Sequence, residues 1–144
     1  MAALKKRYYP KIAEEVYLAT LDNGMSLSII KKKGFIEKAA FLSTNFGALD
    51  NRFYIDGKLQ TYPAGIAHFL EHKLFEDDQG RDVTLDFVKL GADVNAFTTL
   101  DRTTYYFSTI DHFEESLELL LKFTSEFTSS EDTVNHGKRI IEQE

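Results

Sequence analysis

The 144 residues include no cysteine and no tryptophan. Without cysteine there is no disulfide framework and no thiolate metal site, so any metal must be held by nitrogen and oxygen ligands. No run approaches the ~20 apolar residues that a membrane-crossing helix needs. The N-terminus, MAALKKRYYPKIAEE, has no continuous apolar core of the kind a secretory signal carries. These absences make the cytoplasm the expected location, with no membrane partner. Basic residues are also in deficit, 17 against 23 acidic, for a formal net charge of −6. That balance argues against a nucleic-acid partner, because nonspecific binding needs a positive field to displace phosphate counterions.

What is present is enough for one packed domain. Hydrophobic residues make up 43%, with twelve Phe and seven Tyr supplying bulk in place of tryptophan. Residues 1–12 read as a basic, Tyr-rich N-terminal arm ending near Pro10. Val16 to Thr20 and Met25 to Ile30 alternate apolar and polar residues around Asp22-Asn23-Gly24, a strong hairpin signal. Ala39 to Phe46 reads as a buried strand stopped by Gly47, and Asp50 to Pro63 as a loop. The patterns predict helices over Ala64 to Phe75 and over Val83 to Leu90, the second capped by Asp82 and stopped by Gly91. Ala92 to Thr99 and Thr103 to Ile110 read as a hairpin rich in Thr, Phe and Tyr. Phe113 to Phe123 repeats leucines at helical spacing, with Asp111 as a possible cap. A last helix begins at Ser129 or Ser130 and has no stop after Ile140, so the chain reads as part of a longer one. The order of elements predicts an α+β fold, an antiparallel sheet with helices packed on one face.

One run carries chemistry: Ala67-His68-Phe69-Leu70-Glu71-His72-Lys73. On a helix, residues three and four apart are neighbours, so His68, Glu71 and His72 share a face while Phe69, Leu70 and Leu74 anchor elsewhere. Imidazoles at i and i+4 can hold one tetrahedral Zn²⁺ through ring nitrogens at ~2.0–2.1 Å. Glu71 is then placed to take a proton from a water that the metal has acidified. With four His and twelve Glu in the chain, the pattern arises by chance in about one such sequence in a hundred. The plain alternative is a surface helix with incidental His and Glu. A third protein ligand is needed, and Glu142 and Glu144 on the last helix are the candidates; spacing alone does not choose between them.

The motif His68-x-x-Glu71-His72, with Asn23-Gly24, Gly47, Asn95-Ala96-Phe97-Thr98, Thr104-Tyr105-Tyr106 and Ile140-Ile141-Glu142-Gln143-Glu144 in this order, resembles the pitrilysin-family (inverzincin) zinc metallopeptidases. The nearest look is to the processing-protease-like branch. The resemblance implies a truncated domain of the mitochondrial-processing-peptidase-like metallohydrolase type (LuxS/MPP-like), with residues 13–144 as the N-terminal part of the zinc-binding peptidase domain. It implies one Zn²⁺ per chain held by His68, His72 and Glu144, with Glu142 in reserve and Glu71 as general base. It also implies that Ala92 to Thr98 is an edge strand to which an extended peptide substrate adds, with Asn95, Ala96 and Phe97 as substrate-binding residues. For Tyr105, Tyr106 and Phe107 a hairpin-core role is favoured over contact with substrate. Relatives often carry an acid seven positions before the ligand Glu; here that position is Gly137, with His136 beside it, which predicts weaker metal affinity. The implied partners are the missing C-terminal domains or a homologous partner subunit, without which the 144 residues alone are expected to be inactive. The alternative function is a non-catalytic member of the family that binds peptides or a subunit.

Overall fold

The structure is a computed structural model and describes residues 3–77 and 79–127. The last helix read from the sequence, with His136, Gly137, Glu142 and Glu144, lies outside the described residues. The chain divides into two compact units, Met1–Ile36 and Glu37–Glu144.

In the first unit, β1 (Lys5–Tyr9), β2 (Glu14–Thr20) and β3 (Ser26–Ile30) form an antiparallel sheet in the order β1-β2-β3. The Asn-Gly turn forms as its composition predicts: Gly24 has φ +87°, and the Asn23 side chain accepts the Met25 N–H at 3.1 Å. Within the stretch read as a basic arm, Lys5–Tyr9 is a paired strand, with Lys6 opposite Tyr17. Lys6 pairs with Glu15 at 2.6 Å, and Lys6 and Lys31 both lie over the Tyr17 ring.

The second unit is built on β4 (Lys38–Thr44), β7 (Ala92–Thr98) and β8 (Thr103–Thr109), in the order β4-β8-β7. Helices α1 (Ile66–Leu74), α2 (Thr84–Lys89) and α3 (Phe113–Ser125) pack on it. Alternation along the strands sends Ala40, Leu42, Val94, Ala96, Tyr105 and Phe107 toward the helices, where Phe87, Leu120 and Phe123 complete a core. Phe123 is its hub, with ring centroids 5.2–5.9 Å from Phe75, Phe87 and Tyr105. The α+β fold with an antiparallel sheet covered by helices is therefore as expected.

Three readings need correction. Asp50 to Pro63 is not all loop: β5 (Arg52–Ile55) and β6 (Lys58–Thr61) form a ribbon. Its turn is Asp56-Gly57, both at positive φ, the geometry a two-residue hairpin turn requires. Strand β4 is not buried throughout, because its other face is open and Phe41 is 65% exposed. Phe41 instead stacks on Tyr106, which also meets Phe97, so three strands share an aromatic row on the outer face. Helix α3 is preceded by His112 in the left-handed region (φ 55°, ψ 40°), not capped by Asp111.

Gly47 docks the segment after β4 onto the β7–β8 turn. A Cβ there would sit 2.4–2.7 Å from backbone atoms of Asp101 and Arg102. The close approach lets Ala48 and Leu49 donate their N–H groups to the carbonyls of Thr99 and Leu100. It also places the Phe46 carbonyl 2.8 Å from the Thr103 hydroxyl, which donates to it.

Candidate active site

Helix α1 starts after Gly65, whose φ of +84° turns the chain into the first helical residue. His68 and His72 lie one turn apart on it, their ring centroids 4.7 Å apart and their Nε2 atoms 3.0 Å apart. Two nitrogen ligands on one tetrahedral zinc lie roughly 3.3 Å apart, so this pair fits half of a zinc site with a few tenths of an ångström of spreading. Among the described residues no group of three His, Cys, Asp or Glu gathers to complete a site. The expected third ligand, Glu144, and its reserve, Glu142, lie outside the described residues.

Glu71 departs from the simple picture of three groups on one open face. Only 8% of it is exposed, and its Oε2 accepts a hydrogen bond from the Thr98 hydroxyl at 2.5 Å. A carboxylate held out of water needs such a donor. Glu71 and His72 border a cleft of about 430 Å³ together with Phe75, Glu76, Val94 and Asn95. Thus the base candidate, one imidazole and the outer strand share a single opening. Burial pushes the Tyr105 hydroxyl well above its ordinary range, and the nearby Glu71 carboxylate adds to the effect.

The sequence reading missed Thr98 in this role, and it missed Lys73. Lys73 is 2% exposed and forms an ion pair with Glu76, three residues on. The signal was present as a cation and an acid at helical spacing. The backbone of Glu76 pairs antiparallel with that of Asp82, and Val83 donates its N–H to the Phe75 carbonyl at 2.8 Å, so the turn after α1 is pinned beside the cleft.

Among the described residues β7 pairs only with β8 and is the outer strand of its sheet. Asn95 and Phe97 lie on the exposed face, and Ala96 faces the helices. Asn95 Oδ1 accepts the N–H of Ala96 at 2.8 Å. Tyr105 and Phe107 are core residues, as expected, while Tyr106 belongs to the outer aromatic row.

Comparison with known proteins gives this arrangement its family. The sequence profile of the insulinase family (peptidase family M16) matches residues 60–144. The chain belongs to peptidase family M16. Over 98% of its length it is 43% identical to the uncharacterized zinc protease YmfH of Bacillus subtilis (strain 168), of which it covers 33%. The crystal structure of an M16-like peptidase from Alicyclobacillus acidocaldarius superposes with a TM-score of 0.84 at 36% identity, over 90% of this chain and 30% of that one. Pitrilysin shares the fold, with a TM-score of 0.54 at 21% identity over 76% of this chain and 12% of its own. The chain thus spans about a third of the length of the curated relative YmfH. The M16 match includes α1, β7, β8 and α3, the elements that border the cleft or carry its core.

Proposed function

We propose that the full-length protein is a zinc-dependent metalloendopeptidase that hydrolyses peptide bonds in peptides or unfolded segments. Residues 13–144 form the N-terminal part of its zinc-binding domain. The observation that carries this reading is the approach of His68 Nε2 and His72 Nε2 to 3.0 Å on the helix that also holds the nearly buried Glu71. His68 and His72 would hold one Zn²⁺ per chain with Glu144 as third ligand and Glu142 in reserve. Zinc bound there would supply a Lewis acid for the scissile carbonyl and for water. Glu71 takes the proton of the attacking water as the C–O bond forms, then delivers it to the amine nitrogen as the C–N bond breaks. An extended substrate adds along β7, with its backbone next to Asn95, Ala96 and Phe97. The reading further places the protein in the processing-protease-like branch of M16. The remaining domains, or a homologous partner subunit, supply the rest of the site, so this chain alone is inactive.

The test uses the full-length protein. Glu71→Gln should keep about one zinc per chain and lower turnover of an unstructured peptide by about 10²–10⁴-fold, the share a positioned base contributes. His72→Ala should lose the metal. Retained turnover in the first variant, or full zinc occupancy in the second, overturns the proposal. A wild-type protein that binds zinc and peptide without cleaving would favour the non-catalytic reading instead.

A further inference from the structure

Two threonines from the β7–β8 hairpin lie in a row between the Glu71 carboxylate and the backbone that follows β4. Thr98 Oγ1 donates to Glu71 Oε2 at 2.5 Å. Thr103 Oγ1 lies 3.3 Å from Thr98 Oγ1 and donates to the Phe46 carbonyl at 2.8 Å. Thr98 and Thr103 are opposite one another in the register, the last paired residues before the turn. The Phe46 carbonyl is in turn fixed by the Gly47 approach and by the hydrogen bond from Gly47 N–H to Asp50 Oδ2.

Counting protons defines what this row does. A hydroxyl has one proton to donate and two lone pairs to accept. With Glu71 ionised, the proton of Thr98 goes to the carboxylate and that of Thr103 to Phe46. The contact between the two hydroxyls then carries no proton and acts as a stop that keeps Thr98 facing α1. A proton taken from water goes to the other carboxyl oxygen, Oε1, and Oε2 goes on accepting from Thr98 Oγ1. Every heavy atom stays in place, and the Thr98 hydroxyl keeps its direction. One residue therefore holds the carboxyl group on the same lone-pair axis before and after it has taken a proton.

We infer that Thr98, backed by Thr103, is the positioning residue that sets the orientation of the Glu71 carboxylate for proton transfer. This rests on Glu71 being the base proposed above. Thr98 acts through the Glu71 carboxylate that it holds, and no proton passes through it to solvent. Its effect is angular: free to rotate about its last torsion, Glu71 would spend much of its time aimed away from the reacting water.

The experiment is a comparison of Thr98→Val, Thr98→Ser and Thr103→Val with Glu71→Gln in the full-length protein. All rates are normalised to bound zinc. Thr98→Val keeps the branched shape and strand preference but deletes the donor. It should lower kcat by about 10–100-fold, the range seen when a hydrogen-bond partner of a metal-site residue is removed, with KM and zinc content unchanged. Thr98→Ser should recover kcat to within about threefold of wild type. Thr103→Val leaves the Thr98–Glu71 bond and should cost less than Thr98→Val, again in kcat alone; it also decides the matter if Thr98→Val does not fold. Wild-type kcat in Thr98→Val, or in Thr103→Val where Thr98→Val does not fold, overturns the inference while an inactive Glu71→Gln leaves the base assignment standing. Equal losses in Thr98→Val and Thr98→Ser also overturn it, since shape and not the hydroxyl would then be at work. An active Glu71→Gln removes the base assignment and this inference with it.

Discussion

Among the described residues there are two three-stranded antiparallel sheets, β1-β2-β3 and β4-β8-β7, and a buried core lies on the second alone. No described residue of the first 36 is buried, whereas eight hydrophobic residues of the second unit are. Their charge differs as sharply: seven basic against three acidic residues over 1–36, net +4, and ten against twenty over 37–144, net −10. Both sheets have strand-forming side chains, so propensity does not separate them. What separates them is cover. Three helices close one face of β4-β8-β7 and remove its Phe and Tyr side chains from water, while the described residues of the first unit include no helix. Among the described residues the first sheet is held by its ladder, by surface ion pairs and by rings under cations, each worth little. The residues with chemical potential all lie on the covered unit, whose packed core can hold a carboxylate and two imidazoles in fixed relation.

The comparison can be broken most readily at Phe87. That ring is fully buried and meets Phe107 and Phe123 at 5.9 Å. Phe87→Ala should cost about 3–5 kcal/mol of unfolding free energy, read from the denaturant midpoint at unchanged slope. A loss under ~1 kcal/mol would mean the core collapses to fill the cavity and is not the close-packed body described. The same truncation in the first unit should matter far less. Tyr17→Ala removes a ring from between Lys6, Lys31 and the neighbouring strands, and should cost less than about 1 kcal/mol. A cost above ~2 kcal/mol there would show that this sheet is held by real burial and would close the gap between the two units.

The smallest expected effect is in pH response, and its sign differs between the units. In the second unit, the N–H of Arg81 chiefly, then that of Gln79 and the Arg81 guanidinium, hold the Asp77 carboxyl below its usual 3.8. Lys89 chiefly, with Arg81, does the same for Asp86. A depressed carboxyl stabilises the fold above its unfolded value, and that support is lost as pH falls through the lower folded value. In the first unit, Glu15 raises the Lys6 amine above 10.5. Its support is complete below 10.5 and is lost as pH rises through the folded value. The acid side therefore loosens residues 77–86 and the alkaline side loosens the β1 edge. Side-chain carbon NMR of Asp77 and Lys6 checks this; an Asp77 titrating at or above 3.8, or a Lys6 at or below 10.5, removes the contrast. Lys6 is exposed and Asp77 and Asp86 are only partly covered, so screening by solvent should keep the change in total stability slight.

Much of the fold could be read from local patterns. The hairpin at Asn23-Gly24, the helix before Gly91 and the paired strands around Asp101 are dictated by turn residues and period. The ribbon at 52–61 escaped because Asp56-Gly57, a turn signal of the same kind, is flanked by strands only four residues long with no clean alternation. The His112 entry into α3 was not legible, since a non-glycine residue at positive φ has no composition marker as strong as glycine's.

The site divides in the same way. By itself the sequence determined that His68, Glu71 and His72 meet on one turn of helix, because helical geometry brings i, i+3 and i+4 together whatever surrounds them. It also determined the chemistry open to them, since the ligand atoms are covalent properties of the side chains. Only the tertiary structure decided that Glu71 turns inward to Thr98, 27 residues away, and not outward to water. It alone decided that Lys73 is buried against Glu76, and that Thr103 reaches a carbonyl 57 residues before it. Those contacts depend on how α1 and the segment after Gly47 dock on one hairpin, a matter of burial and hydrogen-bond satisfaction across the whole second unit, which no local window of residues contains.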